Sequence, residues 1–119
     1  MVFNYLIGNN DAYGKNFSFL YHEDGRLRLA PLYDLVSTQV YPELGSEMAM
    51  RIGRERNPER LVSRDWAKFF EEAGLNPTLA ARELRRTART VLDALPDVEA
   101  THPQLSALVR ENCRRLLAL

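Results

Sequence analysis

The sequence predicts a mainly α-helical domain that carries one β-hairpin, an α+β fold. Alternating apolar residues flank Asp24-Gly25, as a hairpin requires. Three apolar stripes at helical spacing follow residue 60, each with cap or stop residues beside it. The chain has 119 residues, enough for one domain.

Composition narrows the class. Hydrophobic residues are 45% and charged residues 27%, ordinary for a globular chain and unlike a disordered, collagenous or coiled-coil one. Sixteen basic residues balance sixteen acidic ones, which argues against whole-chain electrostatic capture of nucleic acid or anionic membrane. Local basic faces remain open, because all the cations except Lys15 and Lys68 are Arg. The single cysteine, Cys113, excludes an intrachain disulfide or a Cys-based zinc site and fits a reducing cytoplasm. No apolar run approaches the roughly 20 residues of a membrane span. Val2 to Ile7 lack the basic start and small-residue cleavage site of a signal peptide.

Phe3, Leu6 and Ile7 have helical spacing that stops at Gly8-Asn9-Asn10, so they are expected to be the last turns of a longer helix. On that ground the chain is expected to be a C-terminal fragment. Asn9 to Asn16 is a polar loop. Phe17 to His22 and Arg26 to Leu29 are the two hairpin strands, and Ala30 to Ser46, with Pro31 and Pro42, is irregular. Met48 to Ile52 is expected to be a short strand ended by Gly53, and Arg54 to Asn57 a loop. Ser63 is expected to cap a helix with Trp66, Phe69, Phe70 and Ala73 on its apolar face, closed by Gly74. Asn76 caps the next, with Pro77 at its first position and a stripe of Ala80, Leu84, Ala88, Val91, Leu92 and Leu95 stopping at Pro96. A last helix from Pro103 carries Leu105, Leu108, Val109, Cys113, Leu116 and Leu117 on one face.

The chemistry concentrates in the polar loop. Asp11 and Asn16 have the D-x-x-x-x-N spacing of a kinase catalytic loop. Phosphoryl transfer needs a carboxylate to orient the attacking hydroxyl and take its proton, a role open to Asp11. It also needs hard oxygen ligands on Mg²⁺, and the Asn16 amide oxygen is one. A third group, Asp34, is placed by counting. Eight residues run out from Asn16 to Asp24 and nine return from Gly25 to Asp34. At about 3.3 Å per residue the return should end beside the start, within about 8 Å, so that Asn16 and Asp34 can share one metal. Lys15, inside the loop, is a candidate to contact the transferred phosphate or a substrate bound at Asp11. Gly8 and Gly14 permit the tight backbone around the loop.

Gly8-Asn9-Asn10-Asp11-Ala12-Tyr13-Gly14-Lys15-Asn16-Phe17-Ser18, followed by Leu29-Ala30-Pro31-Leu32-Tyr33-Asp34-Leu35-Val36-Ser37-Thr38, resembles the C-terminal lobe of HipA-family toxin kinases. Met48 to Gly53 and the helical tail are similar to that family too. The resemblance implies the C-terminal lobe of a kinase-like fold over residues 1–119. Residues 1–53 would hold the catalytic loop, hairpin and metal-binding segment, and 54–119 a helical subdomain. It implies an ATP-dependent, Mg²⁺-dependent serine/threonine kinase of a bacterial toxin–antitoxin module, a system associated with persistence. The substrate would be a translation protein such as an aminoacyl-tRNA synthetase. The partner would be a HipB-like helix-turn-helix antitoxin, through which alone the protein meets DNA. By motif position Asp11 matches the catalytic base, and Asn16 and Asp34 match the metal and cofactor ligands. The family loop usually has His where Tyr13 stands here. Nothing in the chain resembles the Gly-rich phosphate loop or the Lys–Glu pair that hold ATP, so this chain alone is expected to be inactive.

Two other functions fit the same residues: phosphorylation of a small molecule, and a non-catalytic helical remnant that binds an antitoxin or another partner. The remaining polar and aromatic residues have plainer expected roles. His22 is solvated and His102 lies at a helix entry. Cys113 is a buried thiol, and Trp66, Phe69 and Phe70 are core. Arg82, Arg85, Arg86 and Arg89 form a solvated helix face, with docking of an acidic partner or a nucleic-acid backbone as the alternative. Arg51, Arg54, Arg56, Arg60 and Arg64 form a second basic stretch, with a grip on an acidic substrate as the alternative to plain solvation.

Overall fold

A computed structural model describes all residues, Met1–Leu119. It contains α1 (Val2–Leu6), the strands β1 (Phe19–Tyr21) and β2 (Leu27–Leu29), then α2 (Ser63–Glu72), α3 (Pro77–Ala94), α4 (Pro96–Glu99) and α5 (Pro103–Leu117). Single 3₁₀ turns at Gly14–Asn16, Thr38–Val40, Pro42–Leu44 and Pro58–Arg60 punctuate the irregular stretches. The mainly helical fold with one antiparallel hairpin is therefore the one the sequence predicts. No helix is long and apolar enough to cross a membrane.

Helices α3 and α5 pack along each other, with α1 against both and α2 against α3. The amphipathic stripes explain this arrangement. Trp66 and Phe70 of α2, Leu84 and Ala88 of α3, and Val109, Cys113 and Leu116 of α5 meet in one core. Leu95, just past α3, belongs to it as well. Trp66 is its hub, with the Tyr5 ring edge-on at 5.5 Å and Phe69 edge-on at 6.3 Å, arrangements that add about 1 kcal/mol each beyond area burial. The core also takes Tyr5, Leu6, Met48 and Ile52 from the first 53 residues. Residues 1–53 and the helical segment thus share one hydrophobic interior.

Two local expectations are corrected. Met48 to Ile52 forms no strand. Gly53, at φ +61°, turns the chain back at once, so Ile52 pairs only with Glu55 in an isolated bridge. Ser63 is the first residue of α2 rather than its cap; the Asp65 carboxylate instead accepts the Val62 N–H at 3.1 Å. Helix α3 stops before Pro96, as expected; the proline then starts the short helix α4, because it needs no N–H partner at a first helical position.

The hairpin is shorter than expected. Its register pairs Phe19 with Leu29, Leu20 with Arg28 and Tyr21 with Leu27. Past the strands the His22 N–H donates to the Arg26 carbonyl at 2.9 Å, so the turn itself is Glu23-Asp24-Gly25, with Gly25 at φ +77° and the Asp24 carboxylate accepting the Arg26 N–H at 3.0 Å. All six strand residues are exposed, so neither face of the ribbon is covered within this chain.

Candidate functional site

The polar loop begins where α1 stops. Gly8 has φ +73°, and a Cβ there would stand 2.8 Å from Leu108 and 2.9 Å from the Gln39 side chain. Its carbonyl accepts the Gln39 N–H at 3.0 Å. Asn9 and Asn10 are buried and fully engaged. The Asn9 side chain donates to Asn4 Oδ1 at 2.9 Å and accepts the Asp11 N–H at 3.2 Å. The Asn10 amide donates to the Ser46 carbonyl and accepts from Gln39 Nε2, while its backbone N–H donates to Thr38 Oγ1 at 2.8 Å. From α5, the buried Asn112 amide reaches the carbonyls of Tyr5 and Leu6 and the Gln39 side-chain oxygen, at 3.1 to 3.3 Å. Every buried amide here has partners, as a low-dielectric interior demands.

This network holds the stem of the loop, and the candidate site groups project beyond it. Asp11 is exposed, and its carboxylate has neither a hydrogen-bond nor an ion-pair partner. It opens onto a cleft of about 340 Å³ shared with Tyr13, Thr38 and Glu47. Asn16 closes the 3₁₀ turn. Its Oδ1 accepts the Tyr13 N–H at 3.0 Å, and its Nδ2 donates to Asp34 Oδ2 at 3.3 Å. Lys15 places its ammonium 5.2 Å from the centre of the Tyr13 ring, a cation–π contact.

The proximity of Asn16 and Asp34 comes from the hairpin with one adjustment. Continued strictly, the β1–β2 register would set Leu32, not Asp34, opposite Asn16. The ladder runs one bond past the strands, from the Ala30 N–H to the Ser18 carbonyl at 2.7 Å, and then Pro31 leaves it. Tyr33 reaches back across: its hydroxyl lies 2.8 Å from Ser18 Oγ and donates to the Lys15 carbonyl at 3.3 Å. Asp34 takes φ +56°, the only non-glycine residue in the left-handed region. That conformation costs about 1–2 kcal/mol and turns the carboxylate onto Asn16.

The donor set suits a small hard cation. An amide oxygen and a carboxylate are the hard oxygen donors such an ion takes, and the 3.3 Å contact between the two side chains is made by the Asn16 amide nitrogen. Presenting the amide oxygen to such an ion requires the Asn16 amide to turn, because its oxygen now faces the Tyr13 N–H.

Sequence reasoning singled out Asp11, Lys15, Asn16 and Asp34, and the structure brings Asn16 and Asp34 into contact. It gave no role to Asn10, Gln39, Asn112 and Tyr33, which position the loop. The signal available for them was the paired Asn9-Asn10 and a lone Asn on the apolar face of α5. His22 is exposed and Cys113 fully buried, as expected. Burial pushes the Cys113 thiol up to about 11, so it stays protonated and unreactive.

A helical base with one antiparallel hairpin and a D-x-x-x-x-N loop at its root is the architecture of the C-terminal lobe of a kinase-like fold. The comparisons with known proteins give the family: the HipA-like C-terminal domain family matches residues 1–96, and the chain belongs to it. A Sinorhizobium fredii protein named "Putative kinase Y4mE" is 41% identical over 97 residues, 82% of this chain and 23% of that protein. The serine/threonine-protein kinase toxin HipA of Shewanella oneidensis is 36% identical over 104 residues, 87% of this chain and 24% of that one. The solved complex of the Shewanella oneidensis HipA and HipB with their operator DNA contains a chain of similar fold, with TM-score 0.75 and 34% identity. The match covers 98% of this chain and 28% of that chain. The chain therefore spans about a quarter of the length of the relatives it matches.

Proposed function

We propose that this chain is the hydroxyl- and metal-binding lobe of an ATP-dependent serine/threonine protein kinase in a toxin–antitoxin module. The observation that carries the reading is the Asn16–Asp34 contact at 3.3 Å, at the root of a loop whose Asp11 carboxylate is free. Asp11 orients the substrate hydroxyl and receives its proton at the carboxylate. Asn16 and Asp34 hold Mg²⁺, whose positive charge on the ATP phosphates is the chemistry it supplies when bound. Lys15, leaving the Tyr13 ring, contacts the transferred phosphate. In this division residues 1–53 carry the chemistry, and 54–119 supply the helical base that fixes it.

The antitoxin partner and the DNA link are supported by the solved HipA–HipB–operator DNA complex, and the substrate and setting by the family resemblance alone. A HipB-like helix-turn-helix antitoxin is the partner, DNA is met only through it, and the setting is cytoplasmic. The protein substrate is a translation protein such as an aminoacyl-tRNA synthetase. ATP is gripped by elements outside these 119 residues, so the chain alone binds Mg²⁺ without phosphorylating.

The test is a Mg²⁺ titration of the 119-residue chain followed through the Asn16 side-chain amide resonances. They should move saturably, and Asp34→Ala should remove the response. Resonances that ignore Mg²⁺ would defeat the metal assignment and favour the second reading, a non-catalytic lobe that docks an antitoxin. One observation supports that alternative. Tyr13 occupies the position the family usually gives to His, and it holds the Lys15 ammonium against its ring.

A further inference from the structure

A second charged site lies away from the loop, where the 52–60 segment crosses the start of α2. The cleft there, about 400 Å³, is lined by Arg54, Glu55, Arg60, Arg64, Asp65 and Lys68, with Val62. Its construction begins with Gly53. An added Cβ would lie 2.5 Å from the Asp65 carbonyl oxygen and 2.7 Å from its Cα, so the Ile52–Glu55 turn sits directly on the first turn of α2. That contact brings Arg54 alongside Arg64 and Lys68, and the 3₁₀ turn Pro58–Arg60 brings Arg60.

The charges in the cleft are not balanced among themselves. Asp65 is turned to the Val62 N–H, and Glu55 accepts the backbone N–H groups of Arg56 and Asn57 at 2.9 and 2.8 Å. Lys68 pairs with Glu72 at 2.7 Å. Arg54, Arg60 and Arg64 have no carboxylate within 4 Å, like several other arginines of the chain, but these three line one cleft. Glu72 registers the surplus. Its carboxyl is drawn below the usual range, first by the Lys68 hydrogen bond and, beyond that, by the charges of Lys68, Arg51 and Arg54.

We propose that this cleft binds a phosphate monoester dianion, presented by a phosphorylated serine or threonine side chain of a polypeptide. Charge and acceptor count favour phosphate over carboxylate. Three guanidinium forks from three separate elements match three acceptor oxygens and a charge of about −1.5 to −2, whereas a carboxylate offers two oxygens and one charge. The site stands apart from the Asn16–Asp34 pair and does not depend on the kinase reading.

The test titrates the 119-residue chain, without ATP or Mg²⁺, against a fluorescein-labelled phosphoserine peptide. Saturable binding is expected, with the unphosphorylated peptide at least tenfold weaker and inorganic phosphate displacing the label. The Arg54→Gln/Arg64→Gln double variant should bind at least tenfold more weakly. Arg89→Gln, a change at an unpaired arginine outside the cleft, should bind like the parent. If inorganic phosphate alone matches the peptide, the dianion assignment holds and free phosphate is its source. Equal binding of phosphorylated, unphosphorylated and Glu-substituted peptides overturns the proposal. So does a double variant with unchanged helical melting and unchanged affinity, or an oligonucleotide that outcompetes the peptide through the same arginines.

Discussion

Residues 61–119 and residues 13–44 treat their apolar side chains in opposite ways. The helical region turns Leu61, Trp66, Phe70, Leu84, Ala88, Leu95, Val109, Cys113 and Leu116 into a shared interior. The ribbon region leaves Phe19, Leu20, Tyr21, Leu27, Leu29 and Leu44 each about half exposed or more. A helix can bury a stripe against another helix nearby in sequence. A two-stranded ribbon has two faces and nothing in this chain to lay on either, and such hairpins are marginal alone. The ribbon is therefore held from its ends, by the Asp24-Gly25 turn at one and the Tyr33–Ser18–Lys15 bonds at the other. The candidate metal pair lies at that second, anchored end.

The contrast can be broken by mutation. The largest effect is expected at Gly53, which joins the two regions. Gly53→Ala adds a left-handed penalty of about 1–2 kcal/mol to a clash with the Asp65 backbone that only movement of α2 relieves. The total loss should exceed about 4 kcal/mol, seen as a collapse of the urea midpoint. A cost under 1 kcal/mol would mean that the turn does not sit on α2.

A smaller effect comes from pH. The Cys113 thiol titrates near 9.0 when unfolded and at about 11 in the core. The neutral thiol's stabilisation is whole below pH 9 and is lost as pH rises through 11, because only the unfolded chain ionises freely across that window. Two pH units correspond to at most about 3 kcal/mol. Burial raises the Tyr5 hydroxyl too, against the opposing pull of Arg115, so its contribution has the same sign at still higher pH. Urea unfolding at pH 8, 9, 10 and 11 measures the slope, and Cys113→Ala should flatten it.

The smallest effect should be on the ribbon. Tyr21, 84% exposed, can become Ser at a cost within about 0.5 kcal/mol. A loss above 1.5 kcal/mol by the same denaturation would show that the ribbon is packed, and the division between the two regions would fail.

Much of the fold was legible because helical periodicity is a local signal. Asn76 and Pro77 open α3 as their chemistry requires, and the Asn76 side chain accepts the Leu79 N–H at 3.1 Å. The misjudged places depend on neighbours. Met48 to Ile52 has a strand's composition but no second strand beside it. Ser63 is a good cap by type, yet Asp65 does the capping. In the candidate site, counting along the hairpin brought Asp34 to the right neighbourhood. The last two residues of offset were set by Pro31, by the Tyr33 hydroxyl and by the left-handed backbone of Asp34, none of which follows from strand rise.

By itself the sequence determined the helical stripes, the hairpin turn and the spacing of Asp11, Asn16 and Asp34, because periodicity and turn chemistry act over a few residues. The tertiary structure alone decided which amides clamp the loop and how Asn16 meets Asp34. It also decided which arginines share a cleft without a counter-charge. Those outcomes join residues as far apart as Tyr5 and Asn112, and only the packed core brings such groups within hydrogen-bonding reach.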